Sequence, residues 1–196
     1  HLRADPRLRA AVDAEPGRRV PGAFEPFEVA VRTVLGQQVS VAAASTLCAR
    51  LTARFGAAVA TPFAALTHAA PTAATLARAP LDAVAAIGLP RTRAATVIAL
   101  AQAVVDGRVR WDRPRDPIAQ MAALTAIPGV GPWTASYLAM RALAWPDGFP
   151  AGDLVLQRQL GVTSRAAAEA ASAAWRPWRA YAAMHQWAAA GARQGG

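Results

Sequence analysis

Apolar positions along this chain recur at helical rather than strand spacing, and proline, glycine and cap residues cut the pattern into short segments. The segments predict helices at 6–14, 26–35, 39–55, 62–67, 72–77, 81–87, 92–105, 117–126, 132–143, 153–160, 164–175 and 177–190. In the second of these Phe27, Ala30, Val31 and Val34 fall on one face. In the helix 92–105 the corresponding positions are Ala95, Ile98 and Val105. Valine–threonine alternation is scarce, so the expected fold class is all-α. No internal repeat is visible. The stretch "DGRVRWDRPRD" reads as a loop rich in charge and proline, and "RQGG" as a low-complexity end.

Composition changes this picture in two ways. Alanine supplies more than a quarter of the 196 residues, so the 54% hydrophobic content overstates the supply of large core side chains. Alanine is also the best helix former, which strengthens the helical reading. All twenty-one basic residues are arginine, and the formal net charge is +9. Codon usage in a GC-rich genome accounts for the exchange of lysine for arginine. It does not account for the excess of positive charge, which favours a polyanionic partner. Arginine keeps its charge at any working pH and grips phosphate through two parallel hydrogen bonds.

Several classes are excluded. Cys48 is the one cysteine, so it forms no internal disulfide and cannot alone hold an iron–sulfur cluster or a zinc ion. The uncharged run 57–77 is long enough to cross a membrane, but Pro62, Pro71 and several threonines argue against it. The chain opens "HLRADPRLRA", without an initiating methionine or a signal pattern. The expectation is a soluble protein of a reducing compartment, and the sequence reads as a fragment or processed form of a longer polypeptide.

The chemistry gathers around "IPGVGPWTASYLAMRALAWPDGFPAGD". Two helices joined by "PGVG" make a helix–hairpin–helix. Pro128 ends the first helix, Gly129 and Gly131 allow backbone dihedrals closed to other residues, and Pro132 suits the first turn of the next. Amides of such a hairpin and helix start can hold one DNA phosphate, which positions a duplex without reading its sequence. From "PGVG" alone, an ordinary tight turn between antiparallel helices accounts for the pattern equally well. Trp133 and Tyr137, four apart, share one helix face directly after the hairpin. Trp175, Trp178 and Tyr181 read as core. Asp153 stands in a loop short of charge, twenty residues after Trp133, where it can act chemically or cap the following helix.

Three ordered blocks carry a resemblance over nearly the whole chain: "VPGAFEPFEVAVRTVLGQQVSVAAASTL", "LTAIPGVGPWTASYLAMRAL" and "WRPWRAYAAMHQW". In them the sequence resembles the helix–hairpin–helix DNA glycosylase superfamily, nearest to its AlkA-type branch, the 3-methyladenine DNA glycosylase II group. The resemblance implies a two-lobed helical body with a DNA-binding cleft. One lobe would comprise 24–145, with the hairpin at about 117–143. The other would combine 1–23 with 146–196 and carry the catalytic aspartate. Members of that branch often have an additional N-terminal α/β domain, which this sequence lacks. By the same resemblance Asp153 matches the catalytic acid, and Trp133, Tyr137 and Trp187 match the base pocket. Gln37, Gln38, Gly129, Val130, Gly131 and Thr134 match DNA-binding positions. The carbonyls of Thr125, Ile127 and Val130 match ligands of a monovalent cation, sodium or potassium, with no other cofactor.

Two positions depart from the branch's pattern. Gln38 stands at the apolar wedge that fills the gap left by an extruded base, and Gly152 stands where a second acid precedes the catalytic one. In relatives that also cut the strand, the position of Trp133 holds a lysine that attacks the sugar; this chain has no lysine. The implied activity is hydrolytic release of alkylated purines such as 3-methyladenine and 7-methylguanine from double-stranded DNA, leaving an abasic site. The implied setting is a bacterial cytoplasm, near the nucleoid, with the protein a monomer. A non-catalytic DNA-binding module remains a rival, as does a monofunctional glycosylase for mismatched or deaminated bases.

Overall fold

The computed structural model describes residues 1–112 and 116–192. Part of the stretch "DGRVRWDRPRD" and the final "RQGG" therefore lie outside the described residues. Eleven α-helices are present among those described: α1 (Pro6–Ala14), α2 (Pro26–Leu35), α3 (Val41–Phe55), α4 (Ala73–Ala77), α5 (Leu81–Ala85), α6 (Arg91–Val105), α7 (Pro117–Thr125), α8 (Pro132–Arg141), α9 (Leu154–Leu160), α10 (Arg165–Ala171) and α11 (Arg179–Ala192). Two 3₁₀ turns, Leu2–Ala4 and Ala173–Trp175, accompany them. The only β feature among the described residues is an isolated bridge between Ala58 and His68. The fold is all-α, as the periodicity predicts.

Most helix starts follow from local chemistry. Asp5, Ser40, Thr72, Asp116, Asp153 and Ser164 each accept a hydrogen bond from an amide of the first turn. Pro6, Pro26 and Pro117 sit in the first turn, where no amide is needed. At its far end α9 stops at Gly161, whose φ of 66° reverses the chain.

The chain divides into two compact units. One is continuous, Ala23–Gly131; the other joins His1–Gly22 to Pro132–Gly196. In the continuous unit α6 packs against α4, α5 and α2, and α2 packs against α3. Phe27, Ala30, Val31 and Val34 are all buried, as their spacing indicates. In α6 the expected face is displaced: Ala94, Val97, Leu100, Ala101 and Ala103 are buried, while Val105 is exposed and Ile98 only half-buried. Alanine on every side of this helix leaves its periodicity without a unique face.

In the discontinuous unit α11 packs against α1 and α9, and α9 against α10. Its core gathers Leu8, Phe149, Ala151, Leu156, Ala168, Trp175, Ala182 and Ala183. Trp175 is buried as expected, with Nε1 donating to Asp5 at 2.6 Å. Trp178 is not core; it is 43% exposed, and Tyr181 is half-buried beside it. Helix α8 belongs to this unit, so the division falls at Gly131, whereas the sequence expectation set it at Trp145.

The segment 62–67 is the one expected helix that does not form. Its chain instead turns back on itself, with the amide of Val59 donating to Thr67 and that of Ala69 to Ala57. The Thr61 hydroxyl donates to the carbonyls of Phe63 and Leu66, a local alternative to the helical ladder.

Candidate active site: a carboxylate between two indoles

Asp153 ends the loop between α8 and α9 and caps α9. Its Oδ1 accepts the Leu156 amide at 2.9 Å and the Trp187 indole Nε1–H at 3.1 Å. Its Oδ2 accepts the Trp133 indole Nε1–H at 3.1 Å. One carboxylate therefore has donors from three helices, α8, α9 and α11, which fix its position and the direction of both oxygens. Capping does not exclude a chemical role for Asp153, because the cap is one of the bonds that orients its carboxylate.

The aromatic rings continue the arrangement. Trp133 and Tyr137, one turn apart on α8, stack nearly parallel with centroids 5.2 Å apart and planes 8° off. Tyr137 and Trp187 lie 6.3 Å apart at a tilt of 56°. Asp153, Trp133, Tyr137 and Trp187, nominated from sequence, thus form one cluster of half-buried side chains within the discontinuous unit. Gly152 beside them has no steric role: a Cβ there would meet only the Trp133 Cβ, at 3.9 Å.

A further side chain joins the cluster. Arg141, one turn beyond Tyr137, donates from Nη1 to the Tyr137 hydroxyl at 2.7 Å, and its guanidinium lies 5.5 Å from that ring's centroid. Sequence reasoning passed it over among twenty-one arginines. The signal that could have found it is the four-residue step from Trp133 to Tyr137 to Arg141 along one helix face.

The hairpin is built within the continuous unit up to Gly131. Gly129 has φ of 86°, and a Cβ there would lie 2.1 Å from Thr96 Oγ1, so both the turn and the approach of α6 require glycine. Gly131 needs neither: its φ is unexceptional and a Cβ would meet nothing within 4 Å. That corrects the expectation that Gly131 needs backbone dihedrals closed to other residues. Val130 is buried, and its amide donates to the Ile127 carbonyl at 3.0 Å, which removes it from the donors offered outward. Thr134 is buried in the first turn of α8.

Gln37 donates from Nε2 to the Gly129 carbonyl at 3.2 Å, tying the α2–α3 turn to the hairpin. Gln38, exposed at the tip of that turn, has φ of 56°, a conformation non-glycine residues rarely adopt. The structure thus separates the two glutamines. One side chain faces the protein and the other faces solvent.

For the monovalent cation, the Ile127 carbonyl keeps one of its two lone pairs after accepting the Val130 amide. Neutral carbonyl oxygens at Thr125, Ile127 and Val130 suit a singly charged ion, as carbonyl rings do elsewhere. No group of three or more His, Cys, Asp or Glu residues that could hold a metal ion occurs among the described residues. Neither does a helix long and apolar enough to cross a membrane.

His185 on α11 is buried. Burial and then the Arg18 charge hold it below the ordinary histidine pKa, against the opposing pull of a hydrogen bond with the Ala11 backbone.

Residues 31–179 match the HhH-GPD superfamily base excision DNA repair proteins. The chain belongs to this superfamily. An HhH-GPD relative from Mycobacterium tuberculosis, described as a probable bifunctional transcriptional activator/DNA repair enzyme AlkA, is 44% identical over 95% of this chain and 38% of its own length. DNA-3-methyladenine glycosylase 2 of Escherichia coli is 36% identical over 89% of this chain and 61% of its own. The chain thus spans about two-fifths to three-fifths of the length of these curated relatives. Among solved HhH-GPD structures, a Clostridium acetobutylicum 8-oxoguanine glycosylase/lyase bound to double-stranded DNA superposes with a TM-score of 0.84 at 15% identity, covering 98% of this chain and 68% of that one. At that identity the likeness speaks for the fold.

Proposed function

We propose that this chain is a monofunctional DNA glycosylase that hydrolyses the N-glycosidic bond of alkylated purines in duplex DNA. The observation that carries the reading is the Asp153 carboxylate, held by two indole N–H groups and a helix amide. As a base departs, positive charge builds on the sugar. A fixed carboxylate stabilises that charge without having to reorganise, and an oxygen of it can orient the attacking water. Water then adds to C1′ as the bond to the base breaks, its electron pair leaving with the base.

Trp133, Tyr137 and Trp187 would receive the extruded base. Stacking on them offsets part of the few kcal/mol that extrusion costs. Gln38 is the residue proposed to enter the gap in the duplex, since its exposed, strained turn holds the side chain outward. Gln37 is assigned to holding that turn on the hairpin. The hairpin would offer its outward amides to a phosphate, and a sodium or potassium ion on the carbonyls of Thr125, Ile127 and Val130 would add positive charge there.

The absence of lysine from the sequence supports hydrolysis over Schiff-base chemistry. Methylation at N3 of adenine or N7 of guanine puts a positive charge on the base, which weakens the bond and favours contact with indole faces, worth about 0.5–2 kcal/mol. Cationic alkylpurines are therefore the substrates this reading favours.

The test is release of methylated bases from alkylated duplex DNA by the wild type and Asp153→Asn. The folded variant should bind DNA normally and lose base release by about 100-fold or more. In the same assay the wild type should leave the abasic strand uncut. Near-normal release by Asp153→Asn would overturn the assignment of the acid; no release by the wild type on any lesion would favour a DNA-binding module.

A further inference from the structure

A glycosylase working on a cationic base needs no help at the leaving group, whereas one working on a neutral base does. A neutral purine leaves with an extra electron pair, and the negative charge on its ring nitrogens calls for a hydrogen-bond donor. The sequence offers no evident donor, since lysine is absent and none of the three histidines matches a site position. The geometry around Tyr137 supplies one.

A guanidinium has five N–H donors and no acceptor, so in the 2.7 Å bond between Arg141 Nη1 and the Tyr137 oxygen the phenol must accept. Its own proton is thereby directed away from Arg141. The arginine cannot turn aside readily, because its Nε donates to the Pro21 carbonyl at 2.6 Å and the guanidinium lies 5.5 Å from the Tyr137 ring centroid. The ring is fixed from its other neighbours by Trp133 and Trp187, the two indoles that hold Asp153. A phenol that accepts from a cation is also a stronger donor, since chained hydrogen bonds polarise one another.

We propose that Arg141 is a positioning residue that makes the Tyr137 hydroxyl a hydrogen-bond donor to the departing base, extending excision from cationic alkylpurines to neutral purine lesions. The inference rests on the glycosylase reading. For a neutral base the added water gives its hydroxide to C1′ and its proton to the base. The Tyr137 hydroxyl bonds to the base's developing lone pair and is not itself consumed. For a cationic base the leaving group is already neutral, and the water's second product is a proton released to solvent. The hydroxyl then contributes little.

The experiment measures single-turnover release of hypoxanthine, a neutral base, and 7-methylguanine, a cationic one, from duplex DNA. Tyr137→Phe keeps the ring and removes the hydroxyl. It should lower hypoxanthine release on the order of 10- to 100-fold and 7-methylguanine release far less. Arg141→Met should shift the ratio of the two rates in the same direction, Arg141→Lys should restore part of it, and the double variant should match Tyr137→Phe. A purely structural role for Arg141 lowers both rates together, so the ratio discriminates even where stability falls. Unchanged ratios in all variants would overturn the inference while leaving the glycosylase assignment standing. Wild type that releases neither base would overturn both.

Discussion

Two loops of this molecule read alike in sequence and differ in structure. The first, 56–72 between α3 and α4, contains "TPFAALTHAAP"; the second, 142–153 between α8 and α9, contains "AWPDGFPAGD". Each is short of charge and carries prolines and a phenylalanine. In the first loop Phe63 is 64% exposed and Leu66 57%, and backbone bonds with the Thr61 hydroxyl hold the turn. In the second Phe149 is 2% exposed and meets Trp175 edge to face at 6.1 Å. Asp147, also buried, takes two hydrogen bonds from Arg179 at 2.8 and 2.9 Å, and another from Arg176. Arg179 reaches the Asp147 carbonyl at 3.0 Å and Glu169 at 2.6 Å. A Cβ on Gly148 would strike the Met140 backbone amide at 2.9 Å. Gln157 donates to the Ala151 carbonyl, and the Asp153 amide to Pro150. Backbone turns suffice to give a loop a shape. The loop that ends at Asp153 is held by a buried charge cluster and core packing as well.

The largest effect should come from cutting the second loop's anchor. Arg179→Met leaves Asp147 buried without its main partner and should cost about 3–5 kcal/mol in chemical denaturation. Asp153-dependent base release should fall with it at temperatures where the variant is still folded. A variant as stable as the wild type would mean that the ion cluster does not secure this loop.

A smaller effect comes from acid. Asp5 caps α1 and accepts from Arg7 and Trp175, the tryptophan against which Phe149 rests. The bond from the Arg7 guanidinium, above all, holds its pKa well below the ordinary carboxylate value. A carboxylate shifted down adds stability that is complete above its unfolded pKa of about 4 and is lost as pH falls below it. Asp5→Asn should therefore flatten the fall in melting temperature between about pH 5 and pH 3. Parallel curves for variant and wild type would remove Asp5 from the anchor. The smallest effect belongs to the first loop: Phe63→Ser and Leu66→Ser should each change stability by no more than about 0.5 kcal/mol. A loss of several kcal/mol would show that this loop is anchored too.

The same contrast explains what the sequence could and could not disclose. Helix positions were legible wherever a proline or a polar cap marks the start, as at Asp5–Pro6, Glu25–Pro26 and Asp116–Pro117, because those signals act over two or three residues. They misled at Pro62, where a proline and an apolar run stand without the packing that a short helix requires. Trp133, Tyr137, Trp187 and Asp153 could be nominated from motif blocks, yet nothing in the motifs told that both indoles donate to the acid. The clamp from Arg179 spans thirty-two residues to Asp147, and Thr96 of α6 stands where a Cβ on Gly129 would fall. Such partners are chosen by tertiary packing, and one sequence carries no local trace of them.

The paired indoles of Trp133 and Trp187 also give the site an optical handle. Two of the six tryptophans direct their N–H groups at the same carboxylate, so their excited states feel its negative charge directly. A nucleobase that enters must share those donors, displace them or lie against the rings, and each event alters the field at the indoles. Trp175, sealed in the core, and Trp178, out in solvent, supply a background that such an event leaves unchanged. On the proposed function, intrinsic emission of the unlabelled protein would thus separate arrival of a base at Asp153 from mere attachment to DNA.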